Sequence, residues 1–89
     1  MGRLKIYTRR HCPYCTRALS ILKQHGVEDY EEIPIDGREG QLRREIMALT
    51  GGRWDVPQVF VDGKHVGDDD DLDELARSGG LAELLSEGA

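Results

Sequence analysis

"RRHCPYCTRAL", residues 9–19, holds the only two cysteines of the chain, Cys12 and Cys15, with Pro13 and Tyr14 between them. The stretch separates two patterns. On its N-terminal side, "RLKIYT" (residues 3–8) alternates Leu4 and Ile6 with Lys5 and Tyr7, the period of a half-buried strand. From Pro13 onward Ala18, Leu19, Ile21 and Leu22 form an apolar stripe at helical spacing. The proline suits a first helical turn, where its missing N–H is not needed, and Gly26 suits the left-handed position that ends a helix. The cysteines thus sit between a strand and a helix start, as a redox pair, half of a metal site or a structural staple.

Downstream, "YEEIPI" (residues 30–35) reads as a second short strand. "DGREGQLRREIMALTGG" (36–52) places Leu42, Ile46 and Leu49 at helical spacing and stops at Gly51-Gly52. Asp36 with Glu39 resembles a capping box, although Asp36-Gly37 equally suits a turn. "VPQVFVDGKHVG" (56–67) is the clearest hairpin. Gln58 to Val61 and Lys64 to Val66 flank Asp62-Gly63, a pair that favours the tight type I′ turn. "DDDDLDELARSGG" (68–80) predicts a third helix whose first-turn acids and last-turn Arg77 complement its dipole. "LAELLSEG" (81–88) predicts a short tail helix.

Two strands joined by a helix are parallel, with a right-handed crossover, and the hairpin adds antiparallel strands. The predicted fold is therefore α/β: a mixed four-stranded sheet, ordered β-α-β-α-β-β-α, with helices on both faces. The two-cysteine loop then lies at a sheet edge beside a helix N-terminus, where ligands bind in α/β folds.

Length and composition set the outer bounds. Eighty-nine residues predict one domain spanning residues 1–89. Two cysteines, three prolines and eleven glycines fit neither a disulfide-dense secreted scaffold nor a collagen-like chain. A 38% hydrophobic content with a net charge of -5 suits a soluble globule, and no basic stripe offers a nucleic-acid footprint. "MGRLKIYT" contains no apolar run for a signal peptide or membrane span, and Ile6 stands where a myristoylation signal wants Ser or Thr. A cytoplasmic monomer without nucleic-acid or membrane partners is expected. In that compartment thiols stay reduced, and a lone CxxC is more often catalytic or metal-binding than structural.

The cysteine environment orders the three readings. Structural zinc wants four ligands, and His25 lies roughly 15 Å from Cys15 by the helical rise. Neither a second CxxC nor an HxxxH occurs, so no metal is expected. A disulfide across a two-residue gap closes too small a loop to constrain the unfolded chain. A redox pair fits best. At the helix start, free backbone N–H groups and the positive dipole end stabilise a Cys12 thiolate, and Arg9, Arg10 and His11 add positive charge. Such settings bring a cysteine pKa from ~8.5 into the range of about 3.5–7.5. Cys15, one turn further in, is the more shielded. Cys12 is therefore assigned the attack on a disulfide, and Cys15 the resolution of the mixed disulfide.

"IYTRRHCPYC", "VPQVFVDGKHVG" and "DDL", in this order and spacing, resemble a dithiol (CPYC, class I) glutaredoxin, close to the small bacterial ones. The resemblance runs from Leu4 to Leu85. It implies a thioredoxin fold and the glutathione-dependent reduction of disulfides and glutathione mixed disulfides. Glutathione is the implied co-substrate, and disulfide-containing or glutathionylated proteins are the implied partners. Cys12 is then the nucleophile and Cys15 the resolving thiol. Tyr14 resembles the aromatic that lies against bound glutathione, and Arg9 the cation that pairs with one of its carboxylates. Val56 resembles the residue whose backbone pairs with the cysteine moiety, an edge pairing that accepts varied partners. Pro57 looks like the family's cis-proline. Asp69, Asp70 and Asp71 fall at a helix start where backbone N–H groups hold the γ-glutamyl carboxylate and an Asp takes the amino group. Outside the family context, Tyr14 is a half-exposed helix tyrosine, Arg9 a solvated charge and the aspartates helix caps.

Three positions depart from the family. Asp55 stands where Thr is usual before Val-Pro, Asp68 where a second glycine is usual, and Asp69 where a small residue such as Cys is common. Each adds negative charge around a site for an anionic tripeptide. Asp55 either raises the Cys12 pKa and weakens glutathione binding, or simply faces solvent or caps a turn. Two alternative functions belong with the pattern. One is a glutathione-ligated [2Fe–2S] module, against which Pro13 argues. The other is an electron donor reduced by a thioredoxin-reductase-type flavoenzyme.

Overall fold

The computed structural model describes residues 3–86, so Met1, Gly2 and the expected tail-helix residues Glu87 and Gly88 lie outside the described residues. In chain order the elements are β1 (Leu4–Thr8), α1 (Pro13–Gln24), β2 (Tyr30–Pro34), α2 (Glu39–Thr50), β3 (Gln58–Val61), β4 (Lys64–Gly67), α3 (Asp69–Arg77) and α4 (Gly80–Ser86). The sheet order is β2-β1-β3-β4. β1 runs parallel to β2, with Leu4 opposite Tyr30, and antiparallel to β3, with Leu4 opposite Val61. This is the mixed four-stranded sheet of the thioredoxin fold. β1 is interior rather than an edge strand, so the two-cysteine loop leaves from the middle of the sheet.

Strand alternation sorts the core into two layers. Leu4 and Ile6 of β1 and Val59 and Val61 of β3 pack with Ala18, Ile21 and Leu22 of α1, Leu72 and Ala76 of α3, and Leu81 of α4. Tyr7 and Phe60, one position out of phase, pack with Ile35 and with Leu42 and Ile46 of α2. Tyr7 and Phe60 meet edge to face, ring centroids 5.7 Å apart. Each fully buried Leu or Ile contributes about 1.5–3 kcal/mol, so α1 and α2 are anchored from opposite faces of one sheet.

The hairpin forms as its turn residues require: Asp62 and Gly63 both have positive φ, 51° and 80°. Phe60 pairs with His65 and Val59 with Gly67, which leaves Val66 as the extra residue of a bulge and carries β4 one residue beyond the expected end.

Two local expectations change. Asp36 does not form a capping box, because its carboxylate accepts from the Arg10 N–H at 3.1 Å and Arg38 is the α2 N-cap without a side-chain bond. The turn alternative holds: the Arg38 N–H donates to the Ile35 carbonyl at 2.9 Å. Leu49 shares the apolar spacing of α2 yet is 49% exposed. The last turn of that helix is given over to polar contacts, with the Thr50 hydroxyl donating to the Ile46 carbonyl at 2.7 Å and accepting the Arg53 N–H at 2.9 Å.

Candidate active site

The chain leaves β1 at Thr8 and turns sharply before α1. His11 takes a left-handed φ of 53°, and the Arg10–Asp36 bond pins the turn to the segment after β2. Cys12 enters in extended conformation (φ −114°, ψ 102°) as the N-cap of α1, and its Sγ accepts the Cys15 N–H at 3.2 Å. A sulfur thus fills the role that a Ser or Asp oxygen usually plays at a helix start. The Thr16 N–H donates to the Cys12 carbonyl at 3.0 Å, and Pro13, which lacks an N–H, leaves no donor unsatisfied. An aimed N–H and a helix N-terminus both favour negative charge on that sulfur.

Cys12 is itself buried, 6% exposed, and Cys15 is more so. Cys15 is 3% exposed, and burial, followed by its contact with Cys12, pushes its thiol up from 9.0 to about 12 against a weaker opposing hydrogen bond from the Arg9 backbone. Both cysteines are free thiols. The pair is unequal: one sulfur accepts a backbone N–H at a helix start, and the other is buried and held neutral.

Beside the motif lies a cleft of about 270 Å³ lined by Tyr14, Asp55, Val56, Pro57, Asp68, Asp69 and Asp70. Tyr14, between the two cysteines, is 65% exposed. The Val56-Pro57 peptide bond is cis. Of the residues assigned to glutathione from sequence, Tyr14, Val56, Pro57, Asp69 and Asp70 meet here. Arg9 does not join them. It lines a separate cleft of about 290 Å³ with Thr8, Arg10, Glu32, Pro34 and Asp36. Asp71 is also absent from the lining, because it serves α3: its carboxylate accepts the Asp68 N–H while Asp68 accepts the Asp71 N–H, both at 3.1 Å. A larger hollow of about 510 Å³ opens between His25, Val27, Leu81 and Leu85 but is lined by no residue of the Cys12–Cys15 motif, whereas Tyr14 of that motif lines the smaller cleft. Size alone therefore does not mark the site.

Every aspartate of the cleft lining is paired with an arginine. Arg17, on α1, reaches Asp69 at 2.7 Å and Asp70 at 2.5 Å, and also Asp73 at 3.4 Å. Arg53 reaches Asp55 at 2.8 Å, Asp68 at 3.1 Å and Asp71 at 3.8 Å. The Arg53 hydrogen bond holds the Asp55 carboxyl below its ordinary value. Asp55 therefore does not face solvent alone, and Arg53 offsets part of the charge that it adds together with Asp68. Arg17 and Arg53 were not singled out from sequence. Their partners lie up to 56 positions away, and the only local signal was Arg53 two residues before Asp55.

A glutaredoxin family model matches residues 4–66. The chain belongs to the glutaredoxin family. This glutaredoxin is 46% identical over 85 residues to Glutaredoxin 3 of Escherichia coli K12, covering 96% of this chain and 99% of that one. It is 47% identical over 81 residues to a glutaredoxin of Pseudomonas aeruginosa, covering 91% and 93% of the two chains. Among solved structures, the buckwheat glutaredoxin–glutathione complex matches with a TM-score of 0.85 at 31% identity, over 97% of this chain and 78% of that one. The chain is a thiol–disulfide oxidoreductase, and the matches favour this activity over the cluster-binding alternative.

Proposed function

We propose that this glutaredoxin uses glutathione to reduce protein disulfides and glutathionylated proteins, as a monomeric, single-domain cytoplasmic enzyme. The observation that carries the reading is the unequal cysteine pair: Cys12 receives an N–H at the head of α1, and Cys15 is buried with its thiol pushed up to about 12. The Cys12 thiolate attacks one sulfur of the substrate disulfide. A Cys12–substrate disulfide forms, and the other substrate sulfur departs as a thiolate. Cys15 loses its proton as it attacks the Cys12 sulfur. The second substrate thiol leaves, and a Cys12–Cys15 disulfide remains. Two glutathiones then reduce that disulfide and depart as oxidised glutathione.

A glutathionylated protein needs only Cys12, which takes the glutathionyl group and passes it to a second glutathione. The cleft of Tyr14, Val56, Pro57, Asp69 and Asp70 supports a seat for glutathione, and the first turn of α3 offers backbone N–H groups to its γ-glutamyl carboxylate. Val56 pairs with the extended cysteine moiety through its backbone. Arg9, outside the cleft lining, contributes long-range attraction to an anionic tripeptide. Asp71 contributes by shaping the α3 start. That no helix among the described residues is long and apolar enough to cross a membrane is consistent with this location.

The test supplies reducing equivalents in turn through glutathione with glutathione reductase, then through a thioredoxin reductase without glutathione. Turnover of a glutathionylated peptide only in the first assay is expected. Turnover only in the second would transfer the enzyme to a flavoenzyme donor.

A further inference from the structure

We infer that Arg53 is a positioning residue for the thiol–disulfide reaction, joining the two walls of the cleft and offsetting part of the charge of Asp55 and Asp68 so that the cleft accepts an anionic thiol peptide. The inference rests on the proposed seating of glutathione in that cleft.

The backbone of Arg53 is fixed from both sides by one residue. Its N–H donates to the Thr50 hydroxyl at 2.9 Å, and its carbonyl lies 3.0 Å from that hydroxyl, which shares its one proton with the Ile46 carbonyl at 2.7 Å. The side chain then spans the gap. Nε and Nη2 form a fork on the Asp55 carboxylate at 3.2 and 2.8 Å, and Nη2 also reaches Asp68 at 3.1 Å. Asp55 directly precedes the cis Val56-Pro57 bond, and Asp68 is the N-cap of α3. One planar guanidinium therefore ties the strand-like wall to the helix-start wall, a geometry that a lysine's point charge does not reproduce. The far side of Asp55 is held by the buried Gln58 amide, whose Nε2 donates to Asp55 at 3.3 Å while its Oε1 meets His65 Nε2 at 2.6 Å.

Asp69 and Asp70 have their own partner in Arg17. Removing Arg53 alone leaves Asp55 and Asp68 as two uncompensated carboxylates facing an anionic ligand. Among its hydrogen bonds and ion pairs, Arg53 makes none to Cys12 or Cys15. The effect therefore falls on capture of the glutathionyl group rather than on the sulfur chemistry.

The experiment measures KM and kcat for a glutathionylated peptide in the glutathione-coupled assay, at low and high salt, in wild type, Arg53→Met, Arg53→Lys, Asp55→Asn and the Arg53→Met/Asp55→Asn double variant. Arg53→Met raises KM about five- to tenfold at low salt with kcat within about twofold, the pattern of lost binding without lost chemistry. The increase shrinks at high salt, because surface charges are then screened. Arg53→Lys falls between wild type and Arg53→Met. The double variant returns to within about twofold of Asp55→Asn, since neighbouring charges are coupled. Asp55→Asn alone lowers KM, a readout that stands even if Arg53→Met does not fold. An unchanged KM in Arg53→Met, or a full increase that persists in the double variant at every salt concentration, overturns the inference and leaves Arg53 as a loop fastener. Wild-type protein without glutathione-coupled turnover would instead overturn the glutathione reading itself, and this inference with it.

Discussion

Two sulfurs three residues apart differ because one caps a helix and the other lies under it. Cys12 takes the position where backbone N–H groups converge, and Cys15 is turned into the protein. The difference is measurable as selectivity. Iodoacetamide added to the reduced protein near pH 7.5 is expected to modify Cys12 and to leave Cys15 unmodified, because only a thiolate reacts at an appreciable rate. Peptide mass mapping reads the result. Equal labelling of the two cysteines would contradict the assignment. Tyr14 and the cis Val56-Pro57 bond bound the space around the motif. The four lining aspartates give that space an acidic rim whose charge two arginines offset in part.

At the scale of elements, α3 depends on the residue that precedes its cap. Gly67 has a φ of 130°, and a Cβ there would lie 2.1 Å from an Asp71 carboxylate oxygen, inside the capping box. Gly67→Ala therefore both strains the backbone and breaks the cap, at a cost of about 1–3 kcal/mol in urea unfolding. A cost under about 0.5 kcal/mol would mean that the α3 start relaxes freely. The elements themselves were legible in the sequence wherever the signal is local. The strand period of Leu4 and Ile6, Pro13 at a helix start and Asp62-Gly63 at a hairpin tip each act within a few residues. What could not be read depends on distant partners. Asp36 carries the composition of a cap, but it bonds to Arg10 across 26 positions. Leu49 keeps the helical period where α2 has turned to polar contacts, and the arginines that offset part of the cleft's charge come from α1 and from the loop before β3. The cysteines, Tyr14 and Val56-Pro57 were legible because a motif fixes them. The charge balance around them was not, because it is made by tertiary pairing.

For the whole molecule, ionisation sets the pH range of stability. Burial, then Glu45, pushes Tyr7 up from 10.0 to about 12, and burial likewise pushes Cys15 up from 9.0 to about 12. Both groups favour the neutral form in the fold. Their contribution is therefore complete below the unfolded values and is lost as pH rises through about 12. Asp55 and Asp68 shift the other way. Arg53 lowers Asp55, while for Asp68 the Asp71 backbone and Arg53 outweigh burial. Their contribution is lost as pH falls below the ordinary carboxylate value of 3.8. Urea midpoints of the reduced protein are expected to fall at about pH 3 and about pH 11 relative to about pH 7, with Tyr7→Phe losing less at the alkaline end. Equal midpoints at neutral and alkaline pH would contradict the burial argument.

The most direct measurement of the central claim also concerns the whole chain at work: glutathione-coupled turnover of a glutathionylated peptide and of a protein disulfide by wild type, Cys12→Ser and Cys15→Ser. Cys12→Ser should be inactive on both substrates, and Cys15→Ser should retain the peptide reaction while losing most of the disulfide reaction. Turnover by Cys12→Ser, or loss of the peptide reaction in Cys15→Ser, would contradict the assignment of attack to Cys12 and resolution to Cys15.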